Sequence, residues 1–405
     1  MKAGWKTVKL GEIAEIYNGN TVSDEDKKRL IAFPNAGLAF IATKDVGFDG
    51  VINYDNGINI PGDEAGDFKV ARKNAVLVCA EGGSAGRKIG HIDRDVHFGN
   101  KLFALNASSA VLPRYLYHYC LSEDFRKKFK GLMAGLIGGV SVAKFKQIEI
   151  PLPPLAEQKR IVALLDEAFA GIDAAKAKAE ACLTDAEESF NSLIDSKISC
   201  ASVGAPCAAL VELCDKNRVI TYGVIKLGEP TRDGVYCLRC GNLKRLTIDL
   251  EGIRKIPDSL SKEYSRTVLK GGELLVNVRG TLGGVCVAPS SMSGWNVARE
   301  IAVVPLQPGA ISAEYLSYHV ASTTSQAWLM GKRKGAAYVG INIEDIRRLP
   351  IYLPSRKEQE RIAGVLSEAQ RHALDLQNIY EKKANKLLDL KSSLLTQAFA
   401  GELTA

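Results

Sequence analysis

The sequence predicts an α+β fold built twice. Two α/β globular segments are separated by two long helices that pair as an antiparallel coiled coil, about a pseudo-twofold internal repeat. Three observations predict it. The stretch FKQIEIPLPPLAEQKRIVALLDEA at 145–168 returns as IRRLPIYLPSRKEQERIAGVLSEA at 346–369, an offset of 201 residues. A heptad stripe follows each copy. The globular segments also repeat, more faintly: Leu10-x-Glu12-Ile13 resembles Leu210-x-Glu212-Leu213, Val76–Val78 with Gly82 and Gly86 resembles Leu274–Val276 with Gly280 and Gly284, and Tyr115-Leu116 resembles Tyr315-Leu316. Solenoid repeats run to roughly 20–50 residues, so this period means domain-sized units instead. The expected boundaries are 1–152, 153–200, 201–353 and 354–405.

Within each globular segment, short β-branched runs broken by Gly, Asn and Asp predict strands and tight turns. Residues 114–130 and 314–330 predict helices, and Tyr236–Cys240 a strand. Pro151, Pro153 and Pro154 close the first segment and open the first long helix, because proline's missing N–H is unpaired in a first turn anyway. The second long helix opens on Ser355-x-x-Glu358, a capping-box pattern. Glu157 and Glu358 fall in first turns, where a negative charge suits the helix dipole.

The 4-3-4-3 spacing in each helix is that of a coiled-coil seam. In the first it runs Ile161, Leu165, Ala168, Ile172, Ala175, Ala179, Cys182, Ala186, Ser189 and Leu193. In the second it runs Ile362, Leu366, Ala369, Ala373, Leu376, Tyr380, Lys383, Leu387, Leu390 and Leu394. Two such stripes in one chain most simply bury each other. Helices of about 40 residues would be about 60 Å long. Gly171 and Gly364 weaken them by about 1 kcal/mol each relative to Ala, little against two buried stripes.

Composition permits two or more domains: 405 residues, with 46% hydrophobic and 24% charged, are ordinary for a soluble globular protein. Met1–Lys6 shows no apolar leader segment and no stretch approaches a membrane span. Nine scattered cysteines suit free thiols in a reducing cytoplasm. A net charge of +7 permits a polyanionic partner. Basic clusters at 27–29, 87–88, 126–128, 244–245, 332–334 and 347–348 all lie outside the long helices.

Catalytic signatures are missing. There is no phosphate-binding loop, dinucleotide fingerprint, H-E-x-x-H or G-x-S-x-G. Glu157-Gln158-Lys159 mimics a nuclease E-x-K, but Glu360 replaces the lysine in the second copy. Cys237-x-x-Cys240 lacks the second ligand pair of a zinc site, so no metal is expected. His91, His97, His118, His319 and His372 sit in no ligand or triad spacing.

Two dissimilar globular segments, each followed by a Pro-x-x-x-Glu-Gln-x-x-Ile helix, together with the ending Leu394–Leu403, resemble the specificity subunit of a type I restriction–modification enzyme. The resemblance covers the whole chain; Tyr352 departs from the usual Pro-Leu-Pro in the second copy. It implies two target-recognition domains, each reading half of a split double-stranded DNA sequence, with the helices as a ruler between them. It implies two docked methyltransferase subunits and motor–nuclease restriction subunits, which would bind S-adenosylmethionine, ATP and Mg; this chain would be non-catalytic. A specificity subunit of another combined restriction–methylation system, and a coiled-coil scaffold without DNA, are the alternatives.

Polar residues beside glycines or on predicted loops are the candidate DNA contacts: Lys44, Arg87, Lys88 and Lys144 in the first segment, and Arg239, Asn242, Arg279, Lys332, Arg333 and Lys334 in the second. Arg pairs with guanine and Asn with adenine, while Lys and Arg also bind phosphates.

Overall fold

The computed structural model describes residues 4–23, 25, 37–62, 65–133, 138–333 and 340–403. The chain forms two compact units, Met1–Ala179 with Glu381–Ala405, and Glu180–Tyr380. The division falls inside both long helices.

The first unit runs β1 (Lys6–Lys9), α1 (Leu10–Ile13), β2 (Ala14–Asn18), β3 (Leu38–Ile41), β4 (Asn59–Ile60), β5 (Val70–Ala71), β6 (Val76–Cys79), β7 (Ile89–His91), β8 (Val96–Phe98) and β9 (Leu102–Ala107). Then come α2 (Pro113–Leu121), α3 (Glu123–Leu132), α4 (Val142–Phe145), β10 (Glu149–Leu152) and the 48-residue α5 (Leu155–Ser202). An antiparallel sheet of order β2-β9-β6-β7 is central, and a second sheet of order β4-β3-β8-β5 contains one parallel pair, β3 with β8. The β6 run VLVC is buried at every position, as a strand covered on both faces should be.

The second unit repeats the plan with β11 (Cys207–Ala209), β12 (Thr221–Tyr222), β13 (Val235–Leu238), β14 (Arg254–Ile256), α6 (Asp258–Glu263), β15 (Leu274–Asn277), β16 (Val285–Val287), β17 (Asn296–Val297) and β18 (Ile301–Val304). It ends with α7 (Ala313–Ala321), α8 (Thr323–Gly331), α9 (Ile343–Arg347), β19 (Pro350–Tyr352) and the start of α10 (Arg356–Ala400). Its sheets, β12-β18-β15-β16 and β14-β13-β17, match the first unit's strand for strand apart from β5, and β13 with β17 is again the parallel pair. Gly19 and Gly223 mark the same close approach: an added Cβ would stand 1.9 Å from the carbonyl oxygen of Phe98 or of Val297.

Each helix expected near 114–130 and 314–330 is two helices. Ser122 and Ser322 break them, because each hydroxyl accepts the amide three residues on, of Phe125 at 3.2 Å and of Ser325 at 3.3 Å, and so starts a new helix.

The long helices pair antiparallel within each unit. In the first, Arg160 donates to the Leu403 carbonyl at 2.8 Å, and Lys391 meets Asp173 at 3.2 Å. Ile161, Leu165 and Ile172 share one core with Leu395, Ala398 and Phe399, and Leu387 and Leu394 pack against it. In the second, Ile194 and Ile198 share a core with Ile362 and Leu366, with Leu193 packed against it. Each such buried side chain contributes about 1.5–3 kcal/mol.

The strict heptad does not hold along α10. Of the expected seam, Tyr380, Leu387 and Leu394 stay partly buried, but Leu376 and Leu390 stand 41% and 47% exposed and Lys383 is exposed, while Ala384 and Lys391 are partly buried in place of the last two. An α-helix drifts about 20° per heptad against a 3.5-residue repeat, so the contact face slides by one position.

The repeated signature at the start of each long helix is structural. Gln158, fully buried, accepts the Leu112 amide at 2.8 Å and donates to the carbonyls of Pro153 at 2.9 Å and Ala110 at 3.1 Å. Gln359 accepts the Ser312 amide at 2.9 Å and donates to the Pro354 carbonyl at 2.9 Å. The neighbouring glutamate forks onto an arginine three residues on, Glu157 with Arg160 and Glu358 with Arg361. Ser355 does accept the Glu358 amide, at 3.3 Å, but the Glu358 carboxylate engages Arg361 rather than closing a capping box. Tyr115 and Tyr315 add a further tie, donating to the carbonyls of Pro151 at 2.7 Å and Tyr352 at 3.1 Å. The signature therefore fastens a sheet domain to a helix.

Candidate nucleic-acid interface

The first unit gathers three of its four candidates at one edge. The loop after β3 begins in a single 3-10 turn, Thr43–Asp45. The Asp45 carboxylate accepts the Ala42 amide at 2.9 Å, and the Asp45 carbonyl accepts the Asn53 amide at 2.8 Å, which closes the loop. Lys44 is exposed on that turn. Phe48 stands at the tip, 63% exposed, with the Arg87 guanidinium 5.1 Å and the Lys88 ammonium 5.2 Å from its ring centroid. Lys88 also donates to the Thr43 carbonyl at 3.0 Å. Lys144 is exposed on α4, away from the loop in sequence.

The second unit builds a similar loop after β13, one residue shorter. Asn242 takes the place of Asp45: its amide oxygen accepts the Arg239 N–H at 3.1 Å and its carbonyl accepts the Asp249 N–H at 2.8 Å. Its amide nitrogen donates to the carbonyls of Asp249 at 2.9 Å and Glu251 at 3.1 Å. Asn242 is 3% exposed and its hydrogen-bonding groups serve its own loop. The expected role of Asn242 as an adenine reader is corrected accordingly: it is a turn clamp. Arg239 donates to the Gly252 carbonyl at 3.3 Å and is partly buried.

Arg279 opens onto a cleft of about 420 Å³ in the second unit. Arg266 and Arg299 line it too, with Tyr222, Tyr264 and Thr267. All three arginines are exposed. The Arg279 guanidinium lies 5.4 Å from the Tyr222 ring centroid. Glu263 is the one acid among these lining residues. Three cations with aromatic faces and hydroxyls suit a phosphate-bearing strand. Of the cleft's residues the sequence names Arg279 as a candidate and does not name Arg266, Arg299 or Tyr222. The signal for Arg299 was its place one residue from the charged pair that the repeats exchange.

That exchange is direct. Glu81 bridges Gly139 where Arg279 bridges Gly340, and Ala80 bonds the Lys101 carbonyl where Val278 bonds the Glu300 carbonyl, both at 2.8 Å. The first unit has an acid and then a base, paired at 3.2 Å; the second has a base and then an acid.

Lys332 lies 5.2 Å from the Trp328 ring centroid, and Arg333 donates to the Met330 carbonyl at 3.0 Å, closing the end of α8. Both are exposed. Lys334 lies outside the described residues.

The two matched histidines are buried. His118 Nε2 lies 2.7 Å from Asp166 Oδ1, and Arg114 holds the same carboxylate. Burial drives His118 down to about 4 in spite of Asp166. His319 Nε2 accepts the Tyr352 amide at 3.2 Å, and burial drives it to about 4 as well. Burial pushes the Cys237 thiol up to about 12, which opposes the thiolate a metal needs. Among the described residues no group of three His, Cys, Asp or Glu side chains could hold a metal, and no helix is long and apolar enough to cross a membrane.

Two like frames carry cations at their edges, beside the exposed Phe48 in the first and the half-buried Tyr222 and Trp328 in the second. The description "Type I restriction modification DNA specificity domain" matches residues 2–181 and 231–385, and the chain belongs to that family. It is 25% identical over 363 residues to the type I restriction enzyme EcoBI specificity subunit of Escherichia coli, covering 84% of this chain and 72% of that one. The EcoKI specificity subunit of Escherichia coli strain K12 is 26% identical over 330 residues, 78% of this chain and 71% of that one. The fold is also that of the HsdS subunit from Thermoanaerobacter tengcongensis, with a TM-score of 0.52 at 19% identity, covering 100% of this chain and 98% of that chain. A chain from a type I restriction–modification system solved for its assembly and conformational transition gives 0.72 at 19% identity, covering 100% and 99%.

Proposed function

We propose that this specificity protein carries no chemistry of its own and reads a two-part DNA target, one part per unit. It would serve two methyltransferase subunits, which bind S-adenosylmethionine, and restriction subunits, which use ATP and Mg, in the cytoplasm. The observation that supports this is the reuse of one frame with different edge residues, Glu81 against Arg279 and Lys101 against Glu300, and with a loop of different length and tip after β3 and β13. A catalytic pair would keep its chemistry in both copies, whereas two readers of different sequences must differ at the edges and agree beneath them.

The three-arginine cleft is the phosphate contact in this reading. Each phosphate contact adds about 0.9 to the slope of log affinity against log salt. The full chain, assembled with its methyltransferase partner, is incubated with a randomised duplex pool and the bound fraction sequenced. A split motif is expected. Alanine at Arg266, Arg279 and Arg299 together should weaken binding and flatten the salt slope by about 2–3. No sequence preference, or methylation by the chain alone, would overturn the reading.

The exposed apolar residues Val365, Leu376 and Ile379 fall on one face of α10. We assign that face to a docked methyltransferase subunit. Its burial would resolve the exposure of Ile379, 59% in the free chain.

A further inference from the structure

The loop tip at Phe48 differs from its counterpart in a way the frame does not require. The loop after β13 is one residue shorter, closed by Leu243 with Ile248 where the first is closed by Val46 with Ile52; of its tip residues Lys244 stays exposed and Arg245 turns inward. It donates to the Ala321 carbonyl at 2.7 Å and to Asn191, and is partly buried. In the first unit Phe48 turns outward instead. The tip is closed on itself: the Gly47 amide donates to the Val51 carbonyl at 2.8 Å, and the Asp49 carboxylate accepts the Val51 amide at 3.0 Å. Gly50, at φ +84°, makes the turn, and a side chain there would collide with the Tyr117 hydroxyl. Phe48 is therefore presented on a braced turn. Its ring has two cations over it, and the exposed Lys44 follows Thr43, whose carbonyl anchors one of them.

An apolar ring left in water and flanked by basic groups fits a polyanion with flat apolar faces. Base–aromatic stacking tolerates any base, because every base has a π-face, and phenylalanine wedges at base steps kink a duplex. We propose that Phe48 is a DNA-stacking residue: its ring stacks on a base of the target duplex while Arg87 and Lys88 leave the ring for the flanking phosphates. The proposal rests on the DNA-reading function above. Sequence content at that half-site then comes from other edge residues, and Phe48 contributes affinity and duplex distortion.

The test uses the full chain assembled with its methyltransferase partner, and the duplex that the wild-type complex enriches from a randomised pool. Phe48→Ala should weaken binding about 5- to 150-fold, the range for losing one base–aromatic stack, with the salt slope unchanged. Lys88→Ala should flatten the slope by about one. Phe48→Trp should bind like wild type, and its fluorescence should change when that duplex is added. Wild-type affinity in Phe48→Ala, while the triple arginine variant is weakened, overturns the stacking role and leaves DNA reading standing. A tryptophan signal that answers to the partner subunit and not to the duplex assigns Phe48 to a protein interface and overturns the proposal. A pool from which the wild-type complex enriches nothing overturns both.

Discussion

The loops after β3 and β13 use the same hardware to different ends. Asp45 and Asn242 clamp their own backbones through the same pair of hydrogen bonds, one by carboxylate and one by amide. Above those clamps Phe48 faces solvent and Arg245 faces its own unit. The difference teaches that the turn is held from beneath, so the tip can change both its length and its chemistry above the same clamp. The starts of the long helices show the converse. Gln158 and Gln359 do the same work with the same residue, because the groups they join are backbone and cannot vary.

The largest expected effect tests whether the units are energetically separate. Leu165→Ala and Leu366→Ala each remove a fully buried side chain from one unit. Each should cost about 2–5 kcal/mol, with hydrogen exchange accelerated in the mutated unit alone. Equal acceleration in both would mean one cooperative block.

A second test separates the histidines. Both rings have folded values near 4, against about 6.5 unfolded. Depressed values mean their stabilisation is whole above pH 6.5 and is lost as pH falls towards 4, by up to about 3 kcal/mol per ring. Protonated His118 keeps Asp166, whereas protonated His319 loses its bond from the Tyr352 amide. The β11–β19 pair should therefore lose amide protection at a higher pH than β1–β10. Simultaneous loss would count against this account.

The smallest effect concerns the two glutamines that fasten the helices. Gln158→Ala leaves the Leu112 amide without its acceptor, and Gln359→Ala does the same to Ser312. Each should cost about 1–3 kcal/mol in chemical denaturation. Gln158 makes one more bond than Gln359, so its change should be the larger; the reverse order would show that the two helix starts are not equivalent.

The duplication, the long helices and their antiparallel pairing were legible in the sequence because they recur at one offset. Leu376 was misplaced because a heptad counts 3.5 residues per turn and the helix does not. Asn242 was misread because a polar residue beside Gly241 looks the same from sequence whether it faces a base or its own backbone. Phe48 was invisible for the opposite reason: an apolar residue between glycines reads as core. Arg266 follows no motif that the two segments share in sequence, so the repeat could not point to it.

Leu395, Ala398 and Phe399, near the end of the chain, fill the core of the first unit, while the second unit is one uninterrupted stretch, Glu180–Tyr380. Synthesis proceeds from the amino end. A ribosome therefore delivers every residue of the later unit before it delivers the last pieces of the earlier one. The segment translated first is the one whose interior must wait longest to be sealed.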